Sequence, residues 1–259
     1  MLPTVQATRY LTPLREGGSL PAIVEASDLG LYVLKFRGAG QGPLALVAEV
    51  IAGEIGRALG LEVPDLVLLE VDAALGRNEP DAEIRELLRA SVGVNLGVDY
   101  LPGSVTFDPA AGDAVDADLA SSVVWLDAFV TNVDRTPRNP NLLWWHKALY
   151  LIDHGAALYF HHSWRDEETM ARSPFKAVRD HILLPWASRI EEADRRLRPL
   201  LGSRLFARVL DLVPDVWLTA EPGPPTPAGK RQGYLAFLEQ RLASSSFVEE
   251  AVRARNELV

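Results

Sequence analysis

Between Thr131 and Leu158 the chain sets an Asp and an Asn on one side of a hairpin pattern and a second Asp on the other, and few folds satisfy that order. Asp134 and Asn139 stand five residues apart among turn formers that include Pro137, Pro140 and Asn141. Residues 142–145 and 148–152 are apolar, strand-length runs separated by His146-Lys147, which predicts a tight hairpin. Asp153 ends the second run and precedes His154-Gly155. Upstream, residues 121–130 carry Val124, Asp127 and Ala128 at helical spacing. A hairpin returns the chain to its starting point, so Asp134, Asn139 and Asp153 are expected to converge. Turn chemistry alone accounts for the loop residues one by one, but not for the order helix, loop, hairpin, Asp-x-Gly.

That order is the layout of a phosphoryl-transfer centre of the kinase type. Asp134 is the candidate catalytic base, which accepts a hydroxyl proton from the phosphate acceptor. Asn139 and Asp153 are the candidate ligands for Mg²⁺ ions that bridge nucleotide phosphates. The phosphates also need a cation. Lys35 ends the strand-like run 31–36, as in a Val-Ala-Ile-Lys signature, and Glu49 on the next predicted helix is the acid expected to hold it, with Glu54 as its rival. Backbone N–H donors come most readily from glycine. Gly17-Gly18-Ser19, between the first two strands, is the favoured phosphate turn, and residues 38–42 form the other candidate. Neither matches Gly-x-x-x-x-Gly-Lys-[Ser/Thr], which excludes a P-loop NTPase. The adenine of ATP is expected against the backbone of residues 98–101, with Asp99, Tyr100 and Leu101 as the contacts.

Composition removes other chemistries. The chain has no cysteine, so disulfides, thiolate metal sites and a cysteine nucleophile are excluded. Its five histidines show no His-x-x-x-His or His-Glu-x-x-His spacing, and no Gly-x-Ser-x-Gly elbow occurs. His154 stands where kinases carry the Phe of Asp-Phe-Gly and is expected to pack between the lobes. The net charge of −9 disfavours direct binding to a nucleic-acid backbone. No run of eighteen apolar residues exists and the N-terminal stretch lacks a signal-peptide plan, so no membrane partner and a cytoplasmic location are expected.

Strands are predicted over residues 6–14, 22–25, 31–36, 66–71 and 92–100, with helices over 44–60 and 81–89. Past Pro102-Gly103 the character changes. Residues 108–116 read as a loop, and helices are predicted over 187–200, 202–212 and 229–258, the last two joined by a proline-rich link at 221–227. The fold class is therefore α+β in two lobes, a strand-rich N-lobe over 1–102 and a helical C-lobe over 103–259.

Asn132-Val133-Asp134-Arg135 through Asn139, then Leu151-Ile152-Asp153-His154-Gly155, resemble the HipA-like kinases. The Glu49 helix, closing on Ala58-Leu59-Gly60-Leu61-Glu62-Val63-Pro64, resembles that family's Leu-Gly-Leu-x-Val-Pro exit. The resemblance runs over residues 31–164 and fits a compact bacterial branch without an extra N-terminal subdomain; phosphoinositide lipid kinases are similar more distantly. It implies a bilobal protein-kinase-like fold, ATP and Mg²⁺, a Ser/Thr kinase activity and autophosphorylation. In it Lys35 holds phosphates, Glu49 orients Lys35, Asp134 is the base, and Asn139 and Asp153 hold metal. The acceptor is a protein or a small molecule, and an antitoxin-like protein partner belongs to the same picture. Two departures stand out. The family's Ser-x-x-Gly-Ala-Gln loop is missing before the lysine strand, and Thr136 replaces the histidine two positions after the catalytic Asp. A nucleotide-binding regulatory module with little catalysis, and a small-molecule phosphotransferase on the same fold, are the rival readings.

Overall fold

The computed structural model describes every residue except 15–19, 41, 78, 166, 220 and 259. The chain divides into two units, Met1–Val47 with Pro64–Gly103 and Ala48–Val63 with Ser104–Val259. The first is strand-rich and the second helical, so the α+β class holds.

In the first unit the strands are β1 (Thr4–Pro13), β2 (Ala22–Ala26) and β3 (Leu31–Lys35), followed by helix α1 (Pro43–Ala58), β4 (Leu66–Val71), α2 (Ala82–Ala90) and β5 (Gly93–Asp99). Helix α1 belongs to this unit only through Val47. The strands close into a barrel in the order β1-β2-β3-β5-β4, because β1 pairs antiparallel with β2 and parallel with β4. Nothing in the strand pattern announces that closure, which depends on a pairing between segments far apart in sequence. Alternation places Ala22, Val24, Ala26, Leu34 and Leu69 inside, all fully buried. Small side chains suit a narrow interior. The same crowding explains Gly97: a Cβ there would lie 2.7 Å from Val67 Cγ2. Helix α2 lays Ile84 and Leu88 on this core. Asp81, expected inside the first turn, is instead its N-cap and accepts from the Glu83 and Ile84 N–H groups at 3.0 and 3.4 Å.

The second unit continues with β6 (Val105–Thr106), α3 (Ala117–Val130), β7 (Leu142–Trp145), β8 (Ala148–Leu151), α4 (Glu167–Ala171), α5 (Ile190–Leu197), α6 (Ser203–Leu210), α7 (Pro227–Ala243) and α8 (Ser246–Asn256). Helix α3 begins four residues before the predicted start because Asp116 caps the Asp118 and Leu119 N–H groups, both at 3.0 Å. Every residue from Ala120 to Val130 is buried, as expected of a helix enclosed on all sides. Trp125 stacks on Phe129 with ring centroids 5.3 Å apart, and Phe247 of α8 meets both rings.

Two predicted helices differ, and one strand was not predicted. The single helix expected over 229–258 is broken at Ser244-Ser245, where the Ser244 hydroxyl accepts from the Ser246 N–H at 3.2 Å. Serine side chains compete with helical backbone bonds, and the break turns Phe247 into the core. The helix expected over 187–200 runs as α5 and then a tight turn, Arg198–Leu200, because Pro199 lacks the N–H to continue it. The edge strand β6, which pairs with β7, falls in a stretch given no element from sequence. The hairpin itself is as expected. His146 and Lys147 form its two-residue turn with φ of 47° and 67°, the pair of positive values that matches strand twist.

Candidate active site

The site grows from the C-terminal end of α3. Thr131 leaves the helix in the left-handed region at φ 57°. The Asn132 backbone N–H returns to the Asp127 carbonyl at 2.8 Å, and its side-chain amide donates to Asp127 Oδ1 at 3.0 Å. Asn132 Oδ1 in turn accepts from the Asp134 N–H at 3.2 Å. Thr136 and Asn139 then exchange two backbone hydrogen bonds, both 3.0 Å, which closes the loop into a tight turn. That turn swings Asn139 back, so that its Nδ2 donates to Asp134 Oδ2 at 2.7 Å.

The hairpin delivers the third residue. Leu142 pairs with Leu151, and the Ile152 N–H donates to the Asn141 carbonyl at 3.1 Å. Asp153 follows at φ 55°, a sparsely occupied conformation for a residue with a side chain. Asp134 and Asp153 lie close enough for their charges to interact. Burial pushes the Asp134 carboxyl up from its usual range, the Asp153 carboxylate adds to that, and the Asn139 amide and Arg135 oppose it. Two acids this close repel one another when both are ionised.

Sequence reasoning gave no site role to Asn141, Arg135, Asp127 or His181. Asn141, read only as a turn former, hydrogen-bonds the Asp134 side chain and donates to the Asp153 carbonyl at 3.5 Å. Arg135 is buried and pairs with the equally buried Asp127 at 2.5 Å. His181 completes the group: its Nδ1 accepts from the Leu183 N–H at 3.0 Å, so Nε2 carries the proton donated to Asp127 Oδ2 at 2.9 Å. Burial holds the imidazole neutral by lowering its pKa. Burial alone would raise the Asp127 carboxyl, but Arg135 and His181 override it and hold it well below the carboxylate range. The signal for Asp127 was an acid on the otherwise apolar surface of α3. Arg241 is a further buried cation. It donates to the Ala128 and Phe129 carbonyls at 2.7 and 3.1 Å, which fixes the end of α3 from which the site hangs.

Glu49 is buried on α1, within the second unit, and its Oε1 lies 3.4 Å from His154 Nδ1. His154 was expected between the lobes; it is fully buried beside this helix of its own unit. The rival Glu54 is half-buried and pairs with Arg57 at 3.3 Å. Lys35 sits in the first unit on β3, half-buried and on the opposite face from the inward-pointing Leu34. Asp99, Tyr100 and Leu101 end β5 and follow it in the same unit. The favoured phosphate turn, Gly17, Gly18 and Ser19, lies outside the described residues. Its competitor is compromised: the Gly38 N–H donates to Ser91 Oγ at 3.2 Å, and the Ala39 and Gly42 N–H groups to carbonyls of the same turn. Among the described residues, no group of three or more His, Cys, Asp or Glu side chains is arranged to hold a metal. No helix among them is long and apolar enough to cross a membrane.

Among solved structures, the chain is similar to a crystal structure of a Helicobacter pylori proinflammatory kinase, CtkA, at 14% identity and a TM-score of 0.56, with 99% of each chain covered. At that identity the likeness speaks for the fold alone. No curated protein matches the chain. A family model described as HipA-like kinase matches residues 8–247, nearly the whole chain, and the chain therefore belongs to the HipA-like kinase family.

Proposed function

We propose that this kinase is bilobal and protein-kinase-like, uses Mg-ATP, and transfers the γ-phosphoryl group to a Ser or Thr hydroxyl, of another protein or of its own chain. The observation that carries the reading is the convergence of Asp134, Asn139 and Asp153, with Asp134 raised by burial and by the neighbouring acid.

The residues present fit Mg²⁺. A hard cation takes oxygen ligands, and the Asn139 amide nitrogen is committed to Asp134, which leaves its carbonyl oxygen as the metal donor. Asn139 Oδ1 and the Asp153 carboxylate would hold the ion, which when bound neutralises phosphate charge. Asp134 accepts the hydroxyl proton as the new O–P bond forms and the bond between the γ-phosphorus and the bridging oxygen breaks, releasing ADP. Its hydrogen bonds from Asn139 and Asn141 aim the carboxylate, and half-burial keeps it basic.

Lys35 supplies the cation for the nucleotide phosphates. Glu49, whose role in the family resemblance is to orient a lysine, also braces His154, the residue after Asp153. The Asp99 and Tyr100 N–H groups are spent on the Asp65 and Leu31 carbonyls at 2.8 and 3.0 Å, so the donor to adenine falls to the Leu101 N–H.

Incubation with γ-labelled ATP and Mg²⁺, with and without a cell extract, tests the reading. Label on Ser or Thr of this chain or of an extract protein is the expected result. Label confined to small molecules would move the acceptor to that class, and no transfer at all, with nucleotide bound, would make the chain a regulatory module.

A further inference from the structure

Arg135 follows the proposed base, yet its side chain turns away from Asp134 into the protein, where it is among the largest fully buried groups. Its Nε donates to Asp127 Oδ2 at 2.5 Å. Its Nη1 donates to the Asn141 carbonyl and, at 3.3 Å, to the Ile152 carbonyl. Those two carbonyls belong to the residues that begin and end the hairpin. Asn141 touches both Asp134 and the backbone of Asp153, and Ile152 immediately precedes Asp153. The Arg135 carbonyl is fixed as well, accepting from the Ile182 N–H at 3.1 Å. One planar group thus ties the helix that carries the loop to the hairpin end that carries the second acid.

Stability does not explain this choice. Burying an ion pair in a protein interior returns little over an apolar pair of the same shape. Moreover, Arg135 Nη2 is buried without a hydrogen-bond partner, a state that works against folding. A guanidinium earns its place here through geometry: a rigid fork bonds three acceptors in fixed directions, and an ammonium at the end of a flexible stem cannot.

We propose that Arg135 is a positioning residue that sets the separation of Asp134 from Asp153, with Asp127 and His181 as its anchor. The proposal rests on the reading of Asp134 as base and Asp153 as metal ligand. Arg135 touches neither substrate nor cation in this scheme; it acts through the Asn141 and Ile152 carbonyls. Loss of groups that orient metal ligands costs roughly 10- to 100-fold in metal affinity or activity.

Arg135→Lys separates the two roles. Lysine keeps a positive charge against Asp127 but cannot hold both carbonyls. The measurements are melting temperature, Mn²⁺ affinity in the presence of ADP by electron paramagnetic resonance, and single-turnover release of labelled phosphate from γ-labelled ATP. The expected result is a near-normal melting temperature with Mn²⁺ affinity and turnover each down roughly 10- to 100-fold. Normal Mn²⁺ affinity and turnover in folded Arg135→Lys would overturn the proposal and reduce Arg135 to a counterion for Asp127. If Arg135→Lys fails to fold, the double change Asp127→Asn with Arg135→Gln decides, since it leaves no buried charge unpaired; folded protein with full Mn²⁺ affinity and turnover would overturn the proposal equally. Asp134→Asn, run in parallel, keeps the readings apart: it should lose turnover and keep Mn²⁺ affinity. Full turnover in Asp134→Asn would remove the base assignment, and the Mn²⁺ arm would still judge Arg135.

Discussion

If Asp134 is the base, Asp134→Asn should cost the protein its chemistry and not its fold. The carboxylate is half-buried, and both its burial and the nearby Asp153 charge raise its pKa. A raised carboxyl favours the protonated form in the folded state. Below its unfolded pKa the group is protonated in both states, and above the raised folded pKa its charge works against folding. Around neutral pH, therefore, the ionised Asp134 costs stability, and a neutral amide relieves that cost. The amide keeps one acceptor oxygen for the two donors, Asn139 and Asn141, so part of the gain is offset. With half the group facing solvent the net effect is small, and the melting temperature of the metal-free variant should be unchanged or higher by about 1–2 °C. Phosphoryl transfer should fall by about 10²- to 10⁴-fold, or about 2.7 to 5.5 kcal/mol of transition-state stabilisation, the usual worth of a general base. The assay pairs nucleotide affinity, from the shift of the melting curve with Mg-ATP, with the rate of transfer from γ-labelled ATP in one preparation. Unchanged transfer would refute the assignment of the base. A fall in rate accompanied by a several-degree loss of melting temperature would show that Asp134 holds the loop and does not act on a proton.

Asp153→Asn should abolish the Mg²⁺ dependence of nucleotide binding while the far-ultraviolet circular dichroism is retained, because an amide oxygen carries only partial charge toward a hard cation; Mg²⁺ titrations that match wild type would place the cation elsewhere. Asp127 has a folded pKa below its unfolded value, so the stability it contributes is complete above about pH 4 and is lost as pH falls through the depressed folded value. Urea titrations at a series of acid pH values should show wild type losing that contribution and Asp127→Asn, already without it, changing less; parallel curves would refute it. Gly56 packs α1 against α3: a Cβ there would lie 3.0 Å from Leu126 Cδ2 and 3.5 Å from Val63 Cγ2. Gly56→Val should therefore lose about 1–3 kcal/mol by overpacking, measured by denaturant unfolding, and wild-type stability would mean that the two helices have room to part.

Local pattern carried the elements that local physics controls. Residues 142–145 and 148–151 pair about a two-residue turn because two short apolar runs with a polar pair between them admit little else. The strands 22–26, 31–35 and 66–71 and the long helix after Lys35 follow from alternation and from the 3.6-residue period. The acids and amide of the site were legible for the same reason, since Asp134, Asn139 and Asp153 are separated by elements whose geometry returns the chain on itself. Where helices end was less legible: the serines at 244–246 and Pro199 stop helices whose apolar period continues past them.

The sequence by itself determined the α+β class, the hairpin and the three polar residues of the candidate site, because each depends on spacing within a short stretch. Only the tertiary structure decided that the first five strands close into a barrel, since the closing pair joins β1 to β4 across more than half of that unit. It alone decided that Arg135 turns inward to Asp127, Asn141 and Ile152, and that His181, far along the chain, donates to the same acid. A charged residue in a polar loop reads as solvated, because exposure is the cheaper state for any single charge. Burial becomes favourable only when partners from separate segments arrive together, and that is a property of the folded chain which no window of sequence contains.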